Sequence, residues 1–189
     1  MGSIPESVEA LRNGGVVLIP TETVVGLVAS EGGLGRIQEI KGRDPDKPVA
    51  LLSASKDEAF ACSERVPPLA AKLAELYWPG PLTLVLERAG GGAIGVRVPD
   101  HETTRNLLLA YGEPLYATSA NLSGAPAPKS LEEVNAQVRE AVDVIVEGES
   151  GGGVASAVVD LTGSKVRLIR AGSDLTDEKL ALLEDEQGF

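Results

Sequence analysis

Lys41, Arg43 and Lys47 place three cations within seven positions of the segment Lys41-Gly42-Arg43-Asp44-Pro45-Asp46-Lys47-Pro48, where one glycine and two prolines restrict the backbone. Arginine offers phosphate a planar fork and lysine a point charge, so this grouping suits a polyphosphate ligand. Lys41 and Arg43 also close a helical pattern, where cations offset the negative end of the helix dipole, a purely structural reason for the same residues. Arg97 interrupts the apolar run Ile94-Gly95-Val96-Arg97-Val98-Pro99. A cation there must reach a pocket, a partner carboxylate or solvent. On an edge strand it is unremarkable; on a central strand it nominates a carboxylate or phosphate ligand.

Neutral polar residues follow two other apolar runs. Thr118-Ser119-Ala120-Asn121-Leu122-Ser123-Gly124 carries hydroxyls and an amide that can contact phosphate, ribose or a hydrated metal without adding charge, or can simply cap a turn. Pro20-Thr21-Glu22-Thr23 reads first as an ordinary turn and second as a ligand loop. Ser156 precedes, and Arg170 follows, a late apolar run.

Common nucleotide and nucleophile signatures do not account for these residues. There is no G-x-x-x-x-G-K-S/T, and Gly33-Leu34-Gly35 lacks a third glycine because Gln38 stands in its place. G-x-S-x-G is missing too, and the single histidine, His101, reads as a surface or capping residue. One histidine and one cysteine cannot build a zinc site without mostly carboxylate ligands. Trp78-Pro79-Gly80-Pro81 reads as an aromatic plug and a rigid turn.

The elements that must position these residues are legible from hydropathy. Apolar, β-branched runs at 16–20, 49–52, 82–86, 94–98, 115–118, 142–146, 157–161 and 166–169 predict buried strands. Helical patterns fall at 34–41, 55–62, 67–77, 102–111, 131–140 and 176–184, and Ser3-Ile4-Pro5-Glu6 predicts a capping box opening a further helix. Alternating strands and helices imply an α/β sheet flanked by helices, with ligands at strand ends. The last three runs lack full helices between them, so a mixed parallel and antiparallel sheet is expected. The two glycine triplets, 90–92 and 151–153, are too short to be linkers, and one domain over 1–189 is expected, its core at about 4–172.

Seventeen basic and 28 acidic residues give a formal charge of −11, which opposes a surface that grips polyanions throughout. That acidity is concentrated: residues 131–149 and 174–186 each contain six acids and one base, and neither stretch holds a candidate ligand. The sole cysteine, Cys62, excludes an intrachain disulfide and suits a reducing, cytoplasmic setting. No export signal or membrane-spanning run is present.

Taken in order, PTETVVGL (20–27), KGRDPDKP (41–48), WPGPLTLVL (78–86), GVRVPDH (95–101), TSANLSG (118–124), SAVVDL (156–161) and RAG (170–172) closely resemble the YrdC/Sua5 family, over about four-fifths of the chain. The resemblance implies a YrdC-like twisted sheet with an open ligand cleft, and L-threonylcarbamoyladenylate synthesis. In that reaction L-threonine, bicarbonate (or CO2) and ATP, with Mg2+ on the phosphates, yield the intermediate for threonylcarbamoyladenosine in tRNA. It implies a downstream tRNA threonylcarbamoyl-transferase complex as partner, and a short form without the extra C-terminal domain of longer relatives, ending in an acidic helix over 174–189. By the same resemblance Lys41, Arg43 and Arg97 form the catalytic set. Lys41 and Arg43, with Lys47 nearby, would hold ATP phosphates, and Arg97 the threonine carboxylate or carbamate. Thr21 would touch the amino acid. Thr118, Ser119 and Asn121 would line the junction of adenylate and carbamate, and Ser156 and Arg170 would close the site over threonine and nucleotide, Ser119, Asn121 and Arg170 on the ATP side and Thr118 and Ser156 on the threonine side. No protein metal ligand is assigned.

Against the family pattern, Val25 replaces an aromatic residue, Asp44 a proline, Leu52 a histidine found in longer members, and Ala157 a threonine. These changes bear on the amino-acid pocket more than on ATP. Two alternatives share the fold: a carbamoyl-adenylate enzyme like those of hydrogenase maturation or carbamoyltransferases, and a double-stranded RNA- or tRNA-binding or ribosome-maturation module, binding RNA weakly through a basic cleft.

Overall fold

Each apolar run becomes a strand, and the inner ones are buried as expected. The runs at the two sheet edges are not, with Val144 and Ile145 half-buried and Ile169 61% exposed, because an edge strand has only one neighbour and is not covered on both faces. The computed structural model describes residues 2–42, 44, 49–163 and 165–185. The strands are β1 (Val16–Ile19), β2 (Gly26–Ala29), β3 (Ala50–Leu52), β4 (Leu82–Glu87), β5 (Ala93–Arg97), β6 (Leu115–Ser119), β7 (Val144–Ile145), β8 (Ala157–Asp160) and β9 (Arg167–Arg170). They form one sheet in the order β7-β1-β2-β6-β3-β5-β4-β8-β9. Three pairs, β1–β7, β3–β5 and β4–β8, are parallel. The other five are antiparallel, so mixed pairing pervades the sheet instead of being confined to its late strands.

Two departures from the sequence reading have local causes. β2 pairs with β1 directly across the Pro20–Val25 segment, and the hydropathy pattern hides it because Gly26 weakens the run. A Cβ there would sit 3.4 Å from the Thr118 carbonyl oxygen on β6, an ordinary contact, so the glycine marks close strand packing without being required by it. The predicted helix over 131–140 forms only as α6 (Ala136–Ala141). Asn135 caps it by accepting from the Gln137 N–H at 2.8 Å, so its side chain starts the helix late, while Leu131 and Val134 are buried in the turns before it.

The remaining helices are α1 (Ile4–Arg12), α2 (Leu34–Lys41), α3 (Lys56–Ala61), α4 (Pro68–Tyr77), α5 (Glu102–Tyr111) and α7 (Asp177–Asp185). The capping box at α1 is present in both directions, Ser3 to Glu6 and back. Strand alternation divides the sheet into two faces. Leu51, Leu84 and Val96 join the α4 residues Leu69 and Leu73 on one face, and Leu18 and Leu27 join Ile37 and Val138 of α2 and α6. On the opposite face Val17, Ile19, Leu52 and Leu115 pack against Leu11 of α1 and Leu107 and Leu108 of α5. Each fully buried leucine contributes about 2 kcal/mol of transfer free energy.

Beyond Leu52 that second face changes character. Its positions on β3, β5 and β4 are Ala50, Gly95, Arg97, Thr83 and Val85, and a Cβ on Gly95 would meet Ala50 Cβ and Thr83 Cγ2 at 3.3 Å. Small side chains thus form a shallow floor with Arg97 at one end.

Candidate active site

Lys41 is the last residue of α2 and is only 3% exposed. Gly42 follows in the left-handed conformation (φ 57°), a C-cap that turns the chain away and leaves the lysine aimed at the end of β6. Its Nζ donates to the Ser119 and Asn121 carbonyls, the latter at 2.6 Å, and lies 3.3 Å from Asn121 Oδ1. The Ser119 hydroxyl also donates to Asn121 Oδ1, while Asn121 Nδ2 donates to the Leu122 and Ala125 carbonyls at 3.0 and 2.6 Å. The amide orientation is fixed by these bonds. The Ser123 N–H returns to the Lys41 carbonyl at 2.8 Å, so α2 and the 119–125 turn are tied together in both directions.

A second group surrounds Arg97, which is 7% exposed on a central strand. Its Nε donates to the Gly80 carbonyl at 3.1 Å, Nη1 to Thr23 Oγ1 at 3.2 Å, and Nη2 to Glu22 Oε1 at 2.5 Å. Glu22 Oε1 also accepts from the Asp100 N–H at 3.0 Å, but its Oε2 is buried with no hydrogen-bond partner. Thr21 spends its own hydroxyl within the loop, donating to the Val24 carbonyl at 2.6 Å, and its Oγ1 lies 3.0 Å from that of Thr23. Thr21 therefore shapes the turn that presents Thr23 to Arg97.

Arg170 is the final residue of β9 and not, as the sequence suggests, the residue after it. Its Nε and Nη2 donate to the carbonyl and hydroxyl of Ser156 at 2.8 and 3.1 Å. Ser156 Oγ is 2.9 Å from Thr83 Oγ1. Partial burial, and then the like charge of neighbouring Arg97, pull the Arg170 pKa below its ordinary value. Two guanidiniums therefore stand near one another with the Glu22 carboxylate as the partner of only one. Such a place favours an added anion.

The sequence candidates thus gather in two groups, Lys41 with Ser119 and Asn121, and Arg97 with Arg170 and Ser156. The 20–25 loop joins them: Thr23 meets Arg97, and the Ala120 N–H donates to the Val25 carbonyl at 2.9 Å. Thr118 lies on β6 opposite Leu27. Arg43 and Lys47 lie outside the described residues. His101 is a helix cap, as its isolation in the sequence suggests, and Trp78 packs against Phe60 with ring centroids 5.5 Å apart. Sequence reasoning does not single out Glu22 or Thr83. Thr83 had a readable signal, as the one polar residue inside the run 82–86, on the pattern of Arg97.

Among the described residues no three His, Cys, Asp or Glu side chains are placed to hold a metal ion. None of their helices is long and apolar enough to cross a membrane.

The chain belongs to the YrdC/Sua5 family: residues 9–172 match the Sua5/YciO/YrdC family model, described as "Telomere recombination". It is 38% identical over 175 residues to a threonylcarbamoyl-AMP synthase of Pyrococcus abyssi, covering 86% of this chain and 52% of that protein. A threonylcarbamoyl-AMP synthase of Vibrio cholerae is 35% identical over 164 residues, covering 79% of this chain and 87% of that protein. A crystal structure of P. abyssi Sua5 complexed with L-threonine matches with a TM-score of 0.88 at 35% identity, over 95% of this chain and 56% of that one. The chain spans about half the length of the archaeal relative and most of the length of the bacterial one.

Proposed function

We propose that this chain is a threonylcarbamoyl-AMP synthase. The observation that carries the reading is the Arg97–Arg170 neighbourhood, two cations beside a floor of small residues, of which Arg97 is paired with the Glu22 carboxylate and Arg170 is bonded to Ser156. A substrate bearing carboxylate and carbamate groups supplies the missing negative charge. Curated relatives of this name in an archaeon and a bacterium support the same chemistry.

In this reading the neutral threonine amine attacks CO2 and releases a proton, or attacks the carbon of bicarbonate and loses water that carries away the amine proton, to give N-carboxythreonine. A carbamate oxygen then attacks the ATP α-phosphorus, the bond to the bridging oxygen breaks, and pyrophosphate departs with its electron pair. No covalent enzyme intermediate is needed, so the chain contributes positioning and charge neutralisation. Arg97 and Arg170 hold the carboxylate and carbamate, with Ser156 orienting Arg170. Thr21 keeps the amino-acid side of the loop in shape. Lys41 and Arg43, with Lys47 nearby, neutralise the triphosphate, and Thr118, Ser119 and Asn121 line the junction with the adenylate. Mg2+ would arrive with ATP and supply neutralisation of phosphate charge, and no residue of the chain is assigned to hold it. The product passes to a tRNA threonylcarbamoyl-transferase complex.

The test is pyrophosphate release with ATP, Mg2+, bicarbonate and each amino acid in turn. Release that requires both L-threonine and bicarbonate supports the synthase. No release, together with salt-sensitive binding of double-stranded RNA, overturns it in favour of an RNA-binding module.

A further inference from the structure

The turn from β5 into α5 makes contacts that the phosphate and carboxylate chemistry does not use. His101 is the N-cap of α5, and its Nδ1 accepts from the Thr104 N–H at 3.4 Å. A backbone N–H can only donate, so the ring proton resides on Nε2 and is donated to the Glu149 carbonyl at 2.9 Å. Glu149 begins a loop that lies along the Thr21–Thr23 turn: the Gly151 N–H donates to the Thr21 carbonyl at 2.9 Å and the Gly153 N–H to the Thr23 carbonyl at 3.0 Å. The approach is closer than any side chain permits, since a Cβ on Gly151 would fall 1.9 Å from the Glu22 carbonyl oxygen. The same turn grips the other side of that loop, because Thr104 Oγ1 donates to the Pro20 carbonyl at 2.7 Å and the Asp100 N–H to Glu22 Oε1 at 3.0 Å.

We propose that His101 is a positioning residue, a latch holding the 149–153 loop on the Thr21–Thr23 turn and so fixing the hydroxyl of Thr23 against Arg97. The connection is continuous: the His101 ring to the Glu149 carbonyl, Gly151 and Gly153 to Thr21 and Thr23, and Thr23 Oγ1 to Arg97 Nη1 at 3.2 Å. Its kinetic consequence rests on the threonine-site reading given above; its structural consequence does not. Loosening the latch acts first on the amino-acid side of the cleft, while the Lys41 side keeps its own bonds to Ser119 and Asn121.

His101→Asn separates the latch from the cap. Asparagine retains an oxygen that accepts from the Thr104 N–H, and it is among the preferred N-cap residues, but it is too short to donate to Glu149. Hydrogen exchange of the full-length protein should show the Gly151 and Gly153 amides exchanging about ten-fold faster in H101N, with the α5 amides and the melting temperature near wild type. His101→Ala should in addition loosen the first turn of α5. In steady-state assays H101N should raise KM for L-threonine roughly three- to ten-fold and leave KM for ATP unchanged. Gly151→Ala, which displaces the loop while keeping His101, should give the same KM split. Wild-type exchange at Gly151 and Gly153 in H101N overturns the latch, as does faster exchange spread over the whole chain. Local exchange as expected in a protein without threonine-dependent turnover leaves the latch standing and removes the synthase reading instead.

Discussion

Arg97 Nη2 donates to Glu22 Oε1 at 2.5 Å, and the bond is single: the second Glu22 oxygen is buried without a partner. A guanidinium and a carboxylate can pair through two parallel bonds, and this pair does not. The carboxylate that Arg97 holds therefore contributes less than an ideal fork, and the neighbouring Arg170 leaves the site with an excess positive charge.

That arrangement makes opposite demands on the two partners. Arg97→Ala leaves the part-buried Glu22 carboxylate without its cation, though still bonded to the Asp100 N–H, and should cost about 1–3 kcal/mol of stability. Glu22→Gln keeps a neutral hydrogen bond and should cost less, while bringing two uncompensated cations together. Thermal melts with and without L-threonine, ATP and bicarbonate check this: the ligand-induced rise in melting temperature should be larger in E22Q than in wild type.

Lys41 has two tasks that a single substitution exposes. Lys41→Ala should abolish turnover through loss of the phosphate-neutralising charge. It also deprives the Ser119 and Asn121 carbonyls of a shared buried donor, so stability should fall by about 1–3 kcal/mol for each group left unsatisfied. Circular dichroism should show a folded protein with a lower denaturation midpoint. Near-normal activity in K41A would falsify the phosphate assignment.

The Thr83–Ser156 hydroxyl pair supports Arg170 from below. Thr83→Val and Ser156→Ala should each cost about 1 kcal/mol, and the double variant should lose less than their sum because they share one bond. A double-mutant cycle by urea denaturation measures that coupling. Strict additivity would mean that the two hydroxyls act independently.

Asp160 supplies the pH dependence. Its burial opposes ionisation, but hydrogen bonds from the Thr162 hydroxyl and N–H, and the bond and charge of Arg167, outweigh burial and hold its pKa below the usual value. A lowered folded-state pKa means stability that is fully present above the unfolded value of about 3.9 and lost as pH falls through the folded one. Asp160→Asn should therefore be less stable than wild type at pH 7, with the gap closing below about pH 4. Melting temperature against pH for both proteins checks the sign.

Much of this was legible in the sequence, for physical reasons that also mark where it stopped. Strands buried on both faces announce themselves as apolar runs, and Arg97 was conspicuous because a cation is costly in such a run. β2 was not visible, since Gly26 dilutes its hydropathy and its pairing with β1 and β6 appears only in the folded sheet. Arg97 invited a ligand, but its partner Glu22 lies 75 positions away and is brought near only when the 20–25 loop folds over the sheet. Lys41 was found as a charge; that it also braces two carbonyls 78 and 80 residues on is a property of the fold. The overall charge of −11 suggested a surface unsuited to polyanions, whereas two short stretches, 131–149 and 174–186, carry almost all of it and hold none of the candidate ligands.

The most direct measurement is the identity of the product. Protein incubated with ATP, Mg2+, L-threonine and carbon-13 bicarbonate should yield a nucleotide whose mass equals AMP joined to threonine through one labelled carbonyl, together with an equimolar amount of pyrophosphate, and neither should form when threonine is omitted. A labelled adenylate that forms without threonine, or pyrophosphate release with no carbon-13 in the nucleotide, would contradict the account.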